Sequence, residues 1–403
     1  MTTQDKTRER SLPEGFDDLI SIFSSPRPNG SPGEKATLAS AQAWLDLHGI
    51  PHSLQPFTQY PYYFECIGLW LIFSRTILAL AVWLRWGWLI LPIALIGLAG
   101  GLLDHAFHIH TVTWPGKRVA QNILIEIAPP DPHQELVLCA HYDSKTEMLD
   151  HRQRMVLLYS IPFGMLASLI LAVLGPLDSW AIAHQVAWET QLYTPSLVIS
   201  LFLLLFAWAL GLNLSVGRLL RPSQGSIDDG AACAILLALA DRLAGENPAC
   251  ANTHLTIALF GGEEVNRQGS RVYTKNRAWP VPAQALNLEA MAQDGEYVYW
   301  ERDGSIFGLA KTSTELNALL TSSITALNGR PPRPAGPVVS DGASFMDVGI
   351  PASTLGTMDS RFGESGFHRP TDNPTRIRPE RLPQSVEILL EFLRQYDSSN
   401  RLL

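Results

Sequence analysis

Four long apolar stretches constrain the fold of this chain more than any other feature of its sequence. Residues 155–177 and 196–216 contain no charged residue, and each stretch is long enough to cross a bilayer as a helix. Residues 86–103 are also free of charge, whereas residues 66–84 contain Arg75 near their middle. A charge at that depth costs roughly 2.5–3.5 kcal/mol on insertion scales, unless it faces another helix. The spacing predicts two helical hairpins that leave a soluble fold and return to it on the same side.

The composition narrows the classes of partner and compartment. The 403 residues have a formal net charge of -8 and no basic run, which argues against nucleic acid as a partner. The four cysteines are not closely paired, so they indicate neither a disulfide framework nor a cysteine-type zinc site. Residues 1–11 are polar and lack the apolar core of a signal peptide. Both observations favour a reducing compartment for the part outside the membrane.

Three short apolar runs each end at residues that can bind metal. They are residues 135–140 before His141, residues 254–260 before the Gly261-Gly262-Glu263-Glu264 turn, and residues 285–288 before Glu289. Runs of this length, bounded by glycine or polar residues, predict buried parallel strands. Open α/β sheets bind their ligands at the carboxyl ends of such strands. Residues 230–244 have a helical pattern, whose first backbone amides would favour the negative charge of Asp229.

Five short motifs supply the side chains of a candidate metal site. They are His141-Tyr142-Asp143, Asp228-Asp229-Gly230, Gly262-Glu263-Glu264, Asn287-Leu288-Glu289 and Phe367-His368. Two divalent ions close together need one bridging carboxylate, and each ion then takes one imidazole and one further carboxylate. A remaining carboxylate can act as general base. Each motif alone is often only a surface turn or a helix cap. All five together, at strand ends, favour a two-metal hydrolytic site.

The order of these motifs resembles that of the M28 family of zinc-dependent metallopeptidases, which are mostly aminopeptidases. Further segments strengthen the resemblance, and they are Arg27-Pro28-Asn29-Gly30-Ser31-Pro32-Gly33-Glu34, Gly269-Ser270, Ser340-Asp341-Gly342 and His368-Arg369-Pro370-Thr371-Asp372. The family fold is an α/β fold of the zinc-exopeptidase type, an open, mainly parallel mixed sheet flanked by helices. The resemblance covers most of the chain outside the apolar stretches, which would form two inserted transmembrane helical hairpins.

The resemblance also implies a role for each side chain, with two Zn²⁺ per chain. His141 and Glu289 would hold one zinc ion, Glu264 and His368 the other, and Asp229 would bridge them. Glu263 would be the general base. Glu289 departs from the family, which often has Asp at this position. Its longer arm leaves the local geometry open.

Asp143 is a candidate for a supporting role beside the metal. It lies two residues after His141, so its carboxylate can accept the other ring N–H of that histidine. Such a contact fixes the tautomer that binds metal. We therefore place Asp143 with Glu263 among the candidate catalytic residues.

These patterns predict one catalytic domain interrupted by two membrane hairpins. Its parts are residues 1–64, 105–154 with the His141 motif, and 218–403 with the remaining ligands, and the hairpins are residues 65–104 and 155–217. Lys and Arg flank the second hairpin on the catalytic side, whereas its distal loop, residues 177–195, has neither. The positive-inside bias then predicts an integral, multi-pass protein of the cell membrane with a cytoplasmic catalytic domain.

The resulting hypothesis is a membrane-bound di-zinc aminopeptidase that acts on peptides, with the lipid bilayer as a second partner. Two alternatives stay open at this stage. One is a one-zinc acyltransferase similar to glutaminyl cyclases, which residues 139–145 (CAHYDSK) resemble. The other is a non-catalytic receptor or scaffold on the same fold. The sequence leaves the oligomeric state and the side-chain preference open.

Overall fold

A computed structural model describes residues 15–107, 115–186, 188–244, 250–305, 308–358 and 366–399. The expectation for residues 1–11 lies outside these ranges. A nine-stranded mixed sheet organises the fold, in the order β1-β2-β4-β3-β5-β9-β6-β7, with β8 paired to β6. The strands are β1 (Ser53–Gln59), β2 (Arg118–Ile127), β3 (Gln134–His141), β4 (Thr253–Phe260), β5 (Ala283–Glu289), β6 (Glu296–Ser305), β7 (Gly308–Lys311), β8 (Arg333–Val338) and β9 (Ala352–Met358).

The centre of the sheet is parallel and its margins are mainly antiparallel. β4, β3, β5 and β9 pair in parallel, and β1, β2, β6 and β7 extend the sheet by antiparallel pairing. β3 is buried along its whole length, because both faces of the sheet are covered. Its side chains alternate between the faces, so Leu136 and Leu138 join one core cluster, and Val137 and Cys139 the other. The predicted mixed sheet flanked by helices is confirmed.

Among the described residues, seven α-helices belong to the part around the sheet. They are α1 (Phe16–Ile22), α2 (Pro32–Leu47), α7 (Ala231–Ala244), α8 (Gln268–Asn276), α9 (Thr314–Asn328), α10 (Gly342–Met346) and α11 (Arg381–Ser399). α7 is rich in Ala and Leu and lies in the larger core cluster together with residues of α1, α9 and α11. α8 and α10 contribute Tyr273 and Phe345 to the cluster on the opposite face.

The apolar stretches form four long helices that pack against one another. They are α3 (Tyr63–Trp83), α4 (Gly87–Phe107), α5 (His151–Ala183) and α6 (Glu189–Ser215). Glycines allow close contact between them, since a Cβ added at Gly68 would lie 2.5 Å from the carbonyl oxygen of Gly211. Small and branched residues fill the interior, whereas Phe73, Trp83, Phe163 and Leu205 are more than half exposed. The outer surface of this bundle is therefore apolar.

Three of these helices are long and apolar enough to cross a membrane, namely Tyr63–Trp83, Gln153–Ala183 and Thr190–Ser215. In α4 the apolar segment with described side chains is shorter, Gly87–Ala99. Arg75 of α3 is buried, and its Nη1 would lie 2.9 Å from a Cβ added at Gly97 of α4. The charge faces the neighbouring helix, which is the condition under which a span containing it is tolerated. Pro162 and Pro176 lie inside α5 without ending it.

Candidate metal centre

Three neighbouring strands bring candidate ligands to one edge of the sheet. In the parallel register His141 lies opposite Phe260, and Cys139 lies opposite Asn287, two residues before Glu289. β3 therefore ends at a histidine, β5 ends at a carboxylate, and β4 leads into the turn that contains the Glu263-Glu264 pair. Gly262 begins that turn with φ 74°, in the left-handed region that favours glycine.

Two histidines and three carboxylates meet at this edge. The Nε2 atom of His141 lies 3.2 Å from Oδ1 of Asp228 and 3.9 Å from Oε1 of Glu289. The Nε2 atom of His368 lies 3.1 Å from Oδ2 of Asp228 and 2.7 Å from Oε1 of Glu264. These side chains form two three-residue groups that share Asp228, each with ligand atoms within 4.8 Å of one another, and His141, Glu263 and Glu264 form a third such group. This arrangement can hold two cations with one carboxylate between them.

The position of the shared carboxylate corrects one expectation. The sequence predicts Asp229 as the bridge, and the structure places Asp228 there instead. The carboxylate of Asp229 is buried and accepts the backbone N–H groups of His141 (3.3 Å) and Ala290 (3.2 Å). Burial and the nearby charge of Glu289 raise its pKa well above the usual range. Asp229 therefore fastens two strand ends, and Asp228 faces both histidines.

A second contact holds Asp228 in this orientation. Asp372, four residues after His368, accepts the backbone N–H of Ile227 at 2.7 Å and that of Asp228 at 3.2 Å. Burial raises the pKa of Asp372 to about 7. The segment that contains His368 thus also fixes the backbone at the carboxylate that the two groups share.

Glu263 is the carboxylate left over from the two groups around Asp228. It is only partly buried, and one of its oxygens lies within 4.8 Å of ligand atoms of His141 and Glu264. Burial raises its pKa well above the usual range, and repulsion by Glu264 and Asp341 adds to the shift. A carboxylate with a raised pKa, beside the candidate ligands but outside both groups, can accept and return a proton.

Asp143 supports both the histidine and the Glu pair. Its carboxylate accepts the backbone N–H of Glu263 at 3.2 Å and that of Glu264 at 3.0 Å. The Nδ1 atom of His141 lies 3.2 Å from the Asp143 carbonyl oxygen and 3.6 Å from its carboxylate. The predicted supporting position is therefore occupied, with the carbonyl as the nearer acceptor. Asp143 orients the ligands of both groups without being one of them.

The N-terminal segment completes this support. Asn29 donates to Asp143 at 2.7 Å, and Gln59 of β1 donates to Asn29 at 2.6 Å and to Glu34 at 2.7 Å. The buried guanidinium of Arg27 donates to backbone oxygens that include that of Gly225, at 2.7 Å. Residues that carried the family resemblance thus have a physical role, because they fix the loops that present the ligands.

The outer side of His368 is bound by residues that sequence reasoning missed. Oε2 of Glu147 lies 3.4 Å from Nδ1 of this histidine, and Nη1 of Arg154 lies 2.5 Å from the same nitrogen. Arg154 and Lys145 both pair with Glu147, at 3.2 and 2.8 Å. Glu147 follows the His141 motif closely in sequence, which is the one signal that could have placed it near the site. No such signal exists for Arg154, which is 214 residues from His368 in sequence.

The ligand set fits zinc. Although burial favours the neutral ring, Asp143, Asp228 and Glu289 raise the pKa of His141 well above its usual value. The carboxylates therefore attract positive charge to this position. The buried Oε1 of Glu264 lies 2.7 Å from Nε2 of His368 but accepts no well-aligned hydrogen bond from the described residues. The imidazole and the carboxylates around this oxygen are the kinds of ligand that zinc prefers.

Comparisons with known proteins agree with this fold. A mixed sheet flanked by helices, with paired histidines and carboxylates at its edge, defines a metallopeptidase-like domain. Residues 213–393 match the sequence model of peptidase family M28. This match agrees with the family that the order of the motifs predicts. Comparison by sequence with curated proteins gives no match.

Solved structures with this fold include both aminopeptidases and glutaminyl cyclases. An aminopeptidase from Aneurinibacillus sp. strain AM-1 is 14% identical, with 94% of this chain and 92% of that chain covered and a TM-score of 0.55. The zinc aminopeptidase BSAP from Bacillus subtilis is 13% identical, with 96% of each chain covered and a TM-score of 0.55. In another BSAP structure the match covers 50% of that chain. Porphyromonas gingivalis glutaminyl cyclase is 12% identical, with 94% of this chain and 96% of that chain covered and a TM-score of 0.54.

Proposed function

We propose that this chain is a membrane-bound di-zinc aminopeptidase that removes N-terminal residues from peptides. The observation that carries the proposal is the carboxylate of Asp228, which lies 3.2 Å from one histidine and 3.1 Å from the other. A single cation would need no shared carboxylate with one oxygen on each side. The match of residues 213–393 to the family M28 model and the aminopeptidases of the same fold support the same activity.

The residues around Asp228 divide into two ligand sets. His141 and Glu289 would hold one zinc ion, Glu264 and His368 the other, and Asp228 both. When bound, the zinc ions supply Lewis acidity that polarises the peptide carbonyl and makes water a stronger nucleophile. Asp143 fixes the two ligand sets relative to each other, because it binds the backbone of Glu264 and faces the ring of His141.

Glu263 would transfer the proton in the reaction. It accepts the proton of the attacking water and returns it to the amine that leaves when the peptide bond breaks. Its raised pKa favours uptake of the proton, because burial and the neighbouring carboxylates disfavour the charged form. General-base catalysis of this kind contributes roughly a hundredfold to ten-thousandfold in rate.

Three long apolar helices support attachment to a lipid bilayer. In this proposal α4 completes the first hairpin, because it packs between α3 and α5. The cationic residues beside the hairpins, among them Lys145, Arg154 and Arg218, contact the catalytic part of the chain. By the positive-inside bias, the catalytic domain then lies on the cytoplasmic face of the cell membrane.

A second candidate function is that of a glutaminyl cyclase, a one-zinc acyltransferase. The similarity in fold to the Porphyromonas gingivalis enzyme favours it. The shared carboxylate of Asp228 and the intact second ligand pair favour the aminopeptidase. A non-catalytic receptor or scaffold has no observation in its favour, since a complete ligand set and Glu263 have no structural need to be retained together.

The deciding experiment uses the full-length protein purified in detergent. Aminoacyl fluorogenic substrates and a peptide with N-terminal glutamine are tested with and without a chelator, and bound zinc is measured by elemental analysis. We expect release of free amino acids, loss of activity with the chelator, and about two zinc ions per chain. Formation of pyroglutamate with one zinc ion per chain would support the cyclase. Full zinc loading without either reaction would support the non-catalytic receptor or scaffold.

A further inference from the structure

The first turn of a membrane-facing helix contacts a candidate metal ligand. α5 begins at His151, and Arg154 in its first turn places Nη1 2.5 Å from Nδ1 of His368. The backbone N–H of Glu147 also donates to the carbonyl oxygen of His368, at 2.9 Å. The segment 147–154 therefore holds the outer side of one histidine, while its Nε2 faces Asp228 and Glu264.

Two groups compete for the same ring nitrogen. Oε2 of Glu147, 3.4 Å from Nδ1, is an acceptor and requires a hydrogen on that nitrogen. The guanidinium of Arg154 is a donor and requires a bare nitrogen there. A neutral imidazole has only one N–H, so it satisfies one of these two neighbours at a time. The neighbour that is satisfied decides whether Nε2, which faces Asp228 and Glu264, is bare or carries a hydrogen.

A metal ion needs the bare form of Nε2, which leaves the hydrogen on Nδ1. Glu147 stabilises this tautomer because it accepts that hydrogen. Arg154 stabilises the opposite tautomer, in which Nε2–H donates to the carboxylates of Asp228 and Glu264. When Nδ1 turns to Glu147, the guanidinium can keep its contact with the same carboxylate, 3.2 Å away.

We propose that Glu147 and Arg154 act as opposing positioning residues for His368, so that Glu147 strengthens and Arg154 weakens metal binding at this position. The inference rests on the proposed zinc site, and it makes the base of α5 a regulator of one of the two ions.

Lys145 provides a matched control for the charge of Arg154. It pairs with the other oxygen of Glu147 at 2.8 Å and lies 4.3 Å above the ring of Phe64 in α3. Lys145→Met and Arg154→Met each remove one positive charge from the same carboxylate. Of the two replaced residues, Arg154 is the one that contacts Nδ1 of His368. Comparison of the two variants therefore separates the effect on the tautomer from the effect of charge.

The test measures both zinc dissociation constants by competition with a chromophoric chelator, in full-length protein in detergent. His368→Ala identifies which constant belongs to the His368 position. Glu147→Gln should weaken that constant by roughly 10- to 100-fold, the effect typical of residues that orient a metal ligand. Arg154→Met should strengthen it by about two- to tenfold, which corresponds to one hydrogen bond. Lys145→Met should change it less than Arg154→Met does.

Thermal unfolding of the metal-free variants shows whether each one folds, and Arg154→Lys gives a second, milder substitution of the same contact. The inference is overturned if Glu147→Gln leaves both constants unchanged, or if Lys145→Met strengthens binding as much as Arg154→Met. The peptidase proposal is judged separately by turnover of wild type. A wild type that binds two zinc ions without peptidase activity, with the variants shifted as expected, would refute the activity and support this inference.

Discussion

Asp228 and Asp229 are adjacent in sequence, yet their carboxylates serve different parts of the site. Asp228 lies between Nε2 of the two histidines, whereas Asp229 accepts backbone N–H groups at the ends of two strands. The first carboxylate is available to a cation and the second is not. Replacement of Asp228 should therefore affect metal binding, and replacement of Asp229 should affect stability.

Asp228→Ala should lose bound zinc and keep the fold, because it removes the shared ligand and no strand contact. Asp229→Ala should instead lower stability by about 1–3 kcal/mol for each buried N–H left without an acceptor. Elemental analysis and thermal unfolding of the two purified variants distinguish these effects. Zinc loss in Asp229→Ala at unchanged stability, with normal zinc in Asp228→Ala, would restore Asp229 as the bridge.

The two adjacent glutamates should also differ. Glu263→Gln should keep its zinc and lower kcat by roughly a hundredfold or more, because the general base is removed. Glu264→Gln should lose zinc from the His368 position, since its Oε1 lies 2.7 Å from that ring. Steady-state kinetics and zinc content measured on the same preparations test both expectations. Near-normal turnover of Glu263→Gln would exclude Glu263 as the base.

The edge of the sheet and most of its ligands could be predicted from sequence, for a physical reason. Parallel strands end at one edge, so His141, Glu289 and the Glu263-Glu264 turn must come close once the strands are recognised. The choice between Asp228 and Asp229 could not be made in this way. Adjacent side chains in non-helical backbone point to different sides, and the contacts of residues 224–230 with Arg27 and Asp372 decide which side each takes.

The support around His368 could not be predicted either. Glu147 and Arg154 reach this histidine through the loop that begins α5, and their contact depends on where that helix leaves the catalytic part. A hydrophobic pattern predicts that α5 forms, and its N-cap residue Asp150, which accepts the backbone N–H of Gln153, marks where it starts. Neither signal indicates which distant ligand the first turn will meet.

The pH dependence of the metal-free protein follows from the direction of its pKa shifts. Although burial favours the neutral ring, carboxylates raise the pKa of His141 well above its usual value, and burial raises the pKa of Glu289 to about 7. The folded state therefore binds more protons than the unfolded state, and its stability falls as pH rises through these values. Thermal unfolding of chelator-treated protein across neutral pH should show this decrease.

Zinc should reverse this trend, because it binds the deprotonated ligands and replaces the protons that the free chain holds. Zinc binding at neutral pH should accordingly release protons, which calorimetric titration in two buffers with different heats of ionisation can count. Equal binding heats in both buffers, or a metal-free protein that gains stability with rising pH, would contradict the assigned shifts.

The orientation in the membrane is predicted from few charges, and exposed positions on the two sides of the second hairpin can test it. Gln185, between α5 and α6, and Arg221, after α6, are both exposed, whereas Ser223 is buried and unsuitable for labelling. Of the native cysteines, Cys139, Cys233 and Cys250 are buried, so only Cys66 needs replacement.

In the Cys66-free background, Gln185→Cys should react with an impermeant thiol reagent on intact cells, and Arg221→Cys should react only after lysis. Labelling of Arg221→Cys alone on intact cells would place the metal centre outside the cell, and labelling of neither would indicate hairpins that enter one leaflet without crossing.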